Sequence, residues 1–139
     1  MDEEKILIMK KDILNRTDIE LLIDDFYKRV LEDELLGSIF TETVKINWET
    51  HLPLMCDFWE NTLFFTGKYK GNPMNLHQQL NRVYPLDSVH FDRWVQLFTA
   101  SVNQYFKGAN ARLAKKKAKS LAAIIETMVL KHKPGTLQR

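Results

Sequence analysis

Apolar residues recur at spacings of three and four along most of this chain, and that periodicity constrains the fold more than any other feature. The clearest run comprises Phe91, Trp94, Val95, Phe98, Val102, Tyr105 and Phe106. No alternating pattern of the kind that β-strands show competes with it. We therefore predict an all-α protein with five or six helices joined by loops of ordinary length.

Local signals predict where the first two long helices begin and end. Thr17-Asp18-Ile19-Glu20 has the pattern of a capping box, in which a threonine hydroxyl accepts a first-turn amide and a glutamate reaches back. That helix should end near Gly37. A second helix should run from about Trp48 to Phe65, and Gly67 suits its C-terminal cap.

Pro53 lies early in the second helix. Proline lacks an amide hydrogen, so either the first turn ends there or the helix kinks. His51 is therefore expected at or just before a helix start, where its backbone can move.

Two further signals organise the second half of the chain. Asn72-Pro73 combines a good N-cap with proline at the first helical position, which predicts a short helix that carries His77. Gly108 should stop the helix that contains Phe91, and Asn110 should cap the last helix.

Composition favours one domain that spans residues 1–139. The formal charge of +2 argues against a nucleic acid or membrane partner. The basic run Lys115-Lys116-Lys117 falls inside a helical pattern, and we interpret it as a solvated helix face rather than a binding patch. The N-terminal residues do not resemble a secretory signal, and no stretch approaches transmembrane length.

A single cysteine, Cys56, permits no intramolecular disulfide and fits a reducing compartment, so we expect a cytoplasmic protein. Cys56 lies among apolar residues and is interpreted as a small core residue rather than a nucleophile. The chain has no Gly-rich phosphate loop and no paired Glu-x-x-His motif of a di-iron bundle.

Aromatic motifs lie in order around His77. They are Phe26-Tyr27, Trp48-Glu49-Thr50-His51, Phe58-Trp59, Tyr69-Lys70-Gly71-Asn72-Pro73, and Phe91 through Phe98. In order and spacing this set resembles the truncated hemoglobins of the third group, bacterial type, over roughly Asp18 to Met128. The five glycines, none of them adjacent, agree with that group.

This resemblance implies a globin-like, two-on-two helical sandwich around heme. It implies that His77 is the proximal iron ligand and that Tyr27, His51 and Trp94 stabilise a ligand on the distal side. No Cys-x-x-Cys-His motif is present, so the heme should be a non-covalent heme b. The residues expected to line the heme are Phe40, Met55, Trp59, Leu76, Leu80 and Phe98.

Each of these residues has a simpler interpretation. His77 could lie in an exposed turn, His51 could be a surface histidine, and Tyr27 and Trp94 could be ordinary core residues. His90 is a rival iron ligand one helical turn before Trp94, but its place near a helix start predicts exposure.

Two functions follow from the resemblance. One is reversible binding of dioxygen or another diatomic gas, such as nitric oxide or carbon monoxide. The other is enzymatic, namely nitric oxide dioxygenation or peroxidase-like chemistry, and it requires a separate electron donor or reductase. A heme-free helical interaction module is the third hypothesis, which a purified protein without a Soret band would support.

Overall fold

The computed structural model describes residues 10–40, 47–67 and 86–131, with side chains described as far as residue 128. Within these ranges the chain is almost entirely helical, and the one β-type pairing is an isolated bridge between Lys11 and Phe106. The predicted all-α class is confirmed. The helices are α1 (Arg16–Glu32), α2 (Trp48–Phe64), α3 (Ser88–Tyr105) and α4 (Ala109–Lys131).

Helix α3 packs most extensively on α4. Helix α1 contacts α2 and α3 to the same extent, and α2 makes a smaller contact with α4. The apolar stripes predicted from the sequence meet in this interior. The largest fully buried side chains are Phe26, Phe98, Ile13, Ile19, Leu22, Ile23, Ile39, Ile125, Val30 and Val102.

Helix α1 begins and ends earlier than the sequence predicted. Its N-cap is Asn15, whose Oδ1 accepts the backbone N–H of Asp18 at 3.0 Å, so the capping box at Thr17 is wrong. The helix ends at Glu32 rather than near Gly37. Asp33 follows it, and its carboxylate accepts the amides of the next turn.

Helix α2 starts at Trp48 as predicted and continues through Pro53 to Phe64. Of the two alternatives predicted for Pro53, an end of the first turn is wrong, because the helix continues through it. His51 lies at the helix start as predicted, and it donates its backbone N–H to the Asn47 carbonyl at 2.9 Å. The last cap is Phe65 rather than Gly67, and Phe65 adopts the left-handed conformation with φ 57°.

Helix α4 is capped by a residue far away in sequence. The Asp12 carboxylate accepts the backbone N–H groups of Asn110 and Ala111 at 2.9 and 2.8 Å. Asn110 was predicted to be the cap, but it lies inside the helix, and its side chain donates to the Ile13 carbonyl instead. The segment that contains Asp12 and Ile13 is thereby held against the start of α4.

Among the described residues, no helix is both long enough and apolar enough to span a membrane. The short helix predicted to carry His77 lies outside the described residues.

Candidate functional site

A cluster of polar aromatic side chains lies where α1 meets the first turn of α2. The Tyr27 hydroxyl and His51 Nε2 are 3.0 Å apart, within hydrogen-bonding distance. The Trp48 ring packs edge-on against both, with centroids 5.2 Å from Tyr27 and 5.6 Å from His51. These three side chains form the distal cluster.

Burial fixes the protonation of the distal cluster. Removal from water raises the pKa of the Tyr27 hydroxyl far above its ordinary value near 10, so this group keeps its proton. Burial likewise lowers the pKa of His51 and favours its neutral imidazole. Each group can therefore act as a donor or an acceptor in their shared hydrogen bond, depending on the imidazole tautomer.

A row of stacked aromatic rings runs from the neighbour of Tyr27 across the core. Phe26 meets Trp94 edge-on at 5.4 Å. Trp94 stacks on Phe98 at 5.8 Å, and Phe98 stacks on Trp59 at 4.6 Å. Three helices contribute to this row, so its order depends on the packing of α1, α2 and α3 together.

An apolar cavity lies on one side of Trp94. Aliphatic and aromatic side chains from the end of the α1 region and from the start of α3 dominate its wall. Such a wall favours a flat, apolar ligand over a charged one. The lining residues are Leu36, Ile39, Phe40, Leu86, His90, Phe91 and Trp94.

His90 differs from its prediction. The sequence predicted an exposed histidine, yet only 8% of His90 is exposed and its ring faces this cavity. Its Nδ1 accepts the backbone N–H of Asp87 at 2.9 Å, which forms half of a capping box at the start of α3. A histidine can therefore be buried at a helix start when its ring replaces the missing backbone acceptor.

The described residues thus bring together part of the predicted site. Tyr27 and His51 are in contact, and Phe26 links Tyr27 to Trp94 through ring contacts on both sides. Phe40 lines the cavity. His77, Leu76 and Leu80 lie outside the described residues.

The other predicted wall residues belong to the core. Trp59 and Phe98 are buried, and Met55 is partly buried against the core. Sequence reasoning missed Trp48 as a site residue, although Trp48 lies three residues before His51 and therefore on the same face of a helix.

Cys56 does not contribute a reactive group. Burial raises the pKa of its thiol to about 11, so it remains protonated and packs as a core residue. In the described part of the chain, no group of three or more His, Cys, Asp or Glu side chains could hold a metal ion.

Comparison with known proteins gives consistent findings. Residues 12–129 match the family model for bacterial-like globins. A group 3 truncated hemoglobin from Campylobacter jejuni is 28% identical over 127 residues, which cover 89% of this chain and 98% of the relative. The crystal structure of a group III truncated hemoglobin from the same species superimposes with a TM-score of 0.75 at 27% identity, over 89% of this chain and 98% of that one. The family resemblance and the globin-like fold drawn from the sequence are confirmed.

Proposed function

Because this chain belongs to the bacterial-like globin family, whose members bind heme, we propose that it binds a diatomic gas at a non-covalent heme b. In this proposal His77 is the protein ligand of the iron. When bound, heme supplies an iron that can hold a small gas on its open face and exchange electrons. The remaining roles belong to side chains of the chain itself.

The described residues fit such a group. An apolar wall that includes Phe40, Phe91 and Trp94 suits the porphyrin face. Tyr27 and His51 place polar hydrogens beside that wall without adding a charge, since Tyr27 keeps its proton and burial favours neutral His51.

The hydrogen bond between Tyr27 and His51 is the observation that carries this proposal. When a hydroxyl and an imidazole face each other, either of them can also donate a hydrogen bond to a third polar atom that lies beside both. Trp94 offers an indole N–H from the other side of Phe26. These donors would form stronger hydrogen bonds with a gas that gains negative charge when it binds than with a gas that stays neutral.

An absorbance spectrum of the purified protein tests heme binding directly. We expect a Soret band that shifts when a reductant and then carbon monoxide are added. His77→Ala should abolish stable heme incorporation or leave a site that added imidazole restores. A normal spectrum in His77→Ala together with heme loss in His90→Ala would refute the assignment.

A second function, catalysis of nitric oxide dioxygenation or a peroxidase-like reaction, is supported by the same hydrogen bond. For a peroxidase-like reaction, the partly buried His51 and the Tyr27 hydroxyl can relay a proton to a peroxide substrate. Nitric oxide dioxygenation consumes no proton, and there the same pair would orient dioxygen by hydrogen bonding. A separate reductase would have to supply electrons. The test is nitric oxide consumption with an added reductase, which should slow in Tyr27→Phe and His51→Ala while carbon monoxide still binds.

A further inference from the structure

Positive charge is concentrated in one part of this chain. Between Asp92 and Glu126 the sequence contains seven of its 20 Lys and Arg residues and none of its 18 Asp and Glu residues. The whole chain carries only +2, so the remainder carries a formal charge of −5. Such a separation creates opposite potentials on different parts of the surface.

Four of these residues lie on one side of α4. They are spaced by three and four, which places them along one helix face beside the buried alanines. Lys115 is partly exposed, and the other three are exposed. We call this set the basic stripe, and it consists of Arg112, Lys115, Lys116 and Lys119.

A fifth cation joins the basic stripe from the other end of the chain. Lys10 Nζ donates to the Asn103 carbonyl at 2.6 Å, and Lys115 Nζ donates to Oδ1 of the same Asn103 at 2.8 Å. Two ammonium groups therefore converge on one neutral residue, one at its backbone carbonyl and one at its side chain. Like charges held together are mildly destabilising, so the folded protein alone gains little from this arrangement.

Most carboxylates near the basic stripe have other roles. Asp12 accepts backbone N–H groups at the α4 N-terminus and acts on Arg112 only through its charge, Asp18 pairs with Lys11, and Glu126 accepts the Ser88 hydroxyl. Asp92 lines the same groove as Lys119 and offsets part of the positive charge at that end of the basic stripe. Among the described residues, no ion pair involves a residue of the basic stripe.

We propose that the basic stripe, together with Lys10, is the docking surface for a small acidic protein that carries single electrons, which revises the sequence-based interpretation of Lys115 and Lys116 as part of a solvated helix face. This inference rests on the proposed function, because a globin that must return its iron to the reduced state needs an electron source outside the described chain. Weak, charge-guided contacts suit a carrier that must bind and leave quickly. The formal −5 on the rest of the chain opposes an extended polyanion such as DNA more than it opposes a compact partner.

Binding of oxidised plant-type [2Fe–2S] ferredoxin to the oxidised protein tests the docking surface without any electron transfer. Titration calorimetry at about 10 mM ionic strength should detect a complex. Raising the salt to about 150 mM, which shortens the Debye length from about 30 to 8 Å, should weaken it at least about tenfold. The variant K116E/K119E should also weaken binding by about tenfold or more.

A matched control variant distinguishes the effect of the basic stripe on binding from the effect of net charge. K28E/K117E changes the charge by the same amount at two exposed lysines outside the basic stripe, one of them on the same helix. It should weaken binding by no more than about threefold. Equal losses in the two variants, or no complex at low salt, would overturn the proposed surface. Tighter binding to phosphatidylserine vesicles or to a short DNA duplex would also overturn it, in favour of that partner.

The carbon monoxide spectrum is measured on the same samples. Failed docking in a protein with a normal spectrum refutes only the docking surface. A protein with no Soret band refutes the proposed function, whatever the calorimetry shows.

Discussion

Tyr27 and His51 lie 3.0 Å apart and share a hydrogen bond. Tyr27 carries its hydroxyl proton at neutral pH, and burial raises its pKa further, whereas burial lowers the pKa of His51 and favours the neutral imidazole. Neither residue is informative alone, since a buried tyrosine usually bonds to a carbonyl and a helix-start histidine is usually exposed. Their contact across two helices is the informative feature. The chemistry of the candidate site therefore depends on this pair of side chains, and both residues were predicted from the sequence.

Replacement of Tyr27 or Trp94 by phenylalanine should speed dioxygen release. A net hydrogen bond is worth about 0.5–1.5 kcal/mol, and more when the acceptor is charged, so each loss should raise the dissociation rate roughly several-fold to tenfold. The two effects should not add in the double variant if the donors share one acceptor. Stopped-flow dissociation of dioxygen and carbon monoxide checks this, because carbon monoxide should respond far less. Equal effects on both gases would indicate a steric cause.

Phe65 offers a stability prediction at a single residue. It caps α2 in the left-handed conformation at φ 57°, yet 85% of its surface is exposed. Asparagine tolerates that conformation better than phenylalanine, so Phe65→Asn should raise stability by about 0.5–1 kcal/mol. Thermal unfolding measures the gain, with Phe64→Asn, at a helical and partly buried position, as a destabilising control. A lower melting temperature in Phe65→Asn would show that the ring makes stabilising contacts in solution.

Helix boundaries show what the sequence could and could not predict. The positions of α2 and α3 followed from apolar spacing, whereas the cap of α4 did not. Asp12 lies 98 positions before Asn110, and no local pattern relates the two. Thr17 and Asn15 are both residue types that cap helices well. Asn15 is the cap because α1 begins at Arg16, which places Thr17 inside the first turn.

The Asp12 cap should make stability depend on acid. Burial alone would raise the pKa of Asp12, but bonds from the amides of Asn110, Ala111 and Ile13 outweigh it, and the pKa falls below its ordinary value. A carboxyl whose folded-state pKa is lowered stabilises the protein above its unfolded pKa, near 4, and that contribution disappears as the pH falls through the folded-state value. Asparagine removes the charge and one of the two acceptor oxygens, so Asp12→Asn should cost about 1 kcal/mol at pH 7 and progressively less below pH 4.

Urea unfolding between pH 7 and pH 3 measures this difference. Asp24→Asn, at an exposed position on α1, is the control and should match the parent protein throughout. A cost for Asp12→Asn that stays constant with pH would mean that geometry, not charge, matters at this cap.

His51 should control gas entry through its side chain rather than its backbone. His51 donates its backbone N–H within the first turn of α2, and its ring is hydrogen-bonded to Tyr27. We therefore expect the ring to move by breaking the bond to Tyr27. His51→Ala should speed carbon monoxide association in flash photolysis, and His51→Leu should change it differently because leucine still fills the space. Tyr27→Phe should speed association as well, since it frees the ring. Unchanged rates in all three variants would exclude a gate.

At the scale of the whole molecule, the packing of α1 against both α2 and α3 brings the distal cluster and the aromatic row together, next to the cavity at Trp94. Apolar periodicity was enough to predict the helices, because it reflects burial directly. It could not predict which helix faces meet, and the family resemblance supplied that. Neither the periodicity nor the family resemblance predicted the burial of His90. That burial depends on its ring, which accepts a backbone N–H at the start of α3 in place of a backbone carbonyl.

Removal of heme should therefore lower the stability of the whole molecule, because the cavity wall is continuous with the core. A ligand at about 1,000 times its dissociation constant stabilises the folded state by about 4 kcal/mol, which corresponds to a melting temperature higher by roughly 10 °C or more for a domain of this size. His77→Ala should shrink the difference between heme-loaded and heme-free protein towards zero. His90→Ala removes half of the α3 capping box and should lower both melting temperatures while leaving most of their difference. An undiminished difference in His77→Ala would show that another residue anchors the heme.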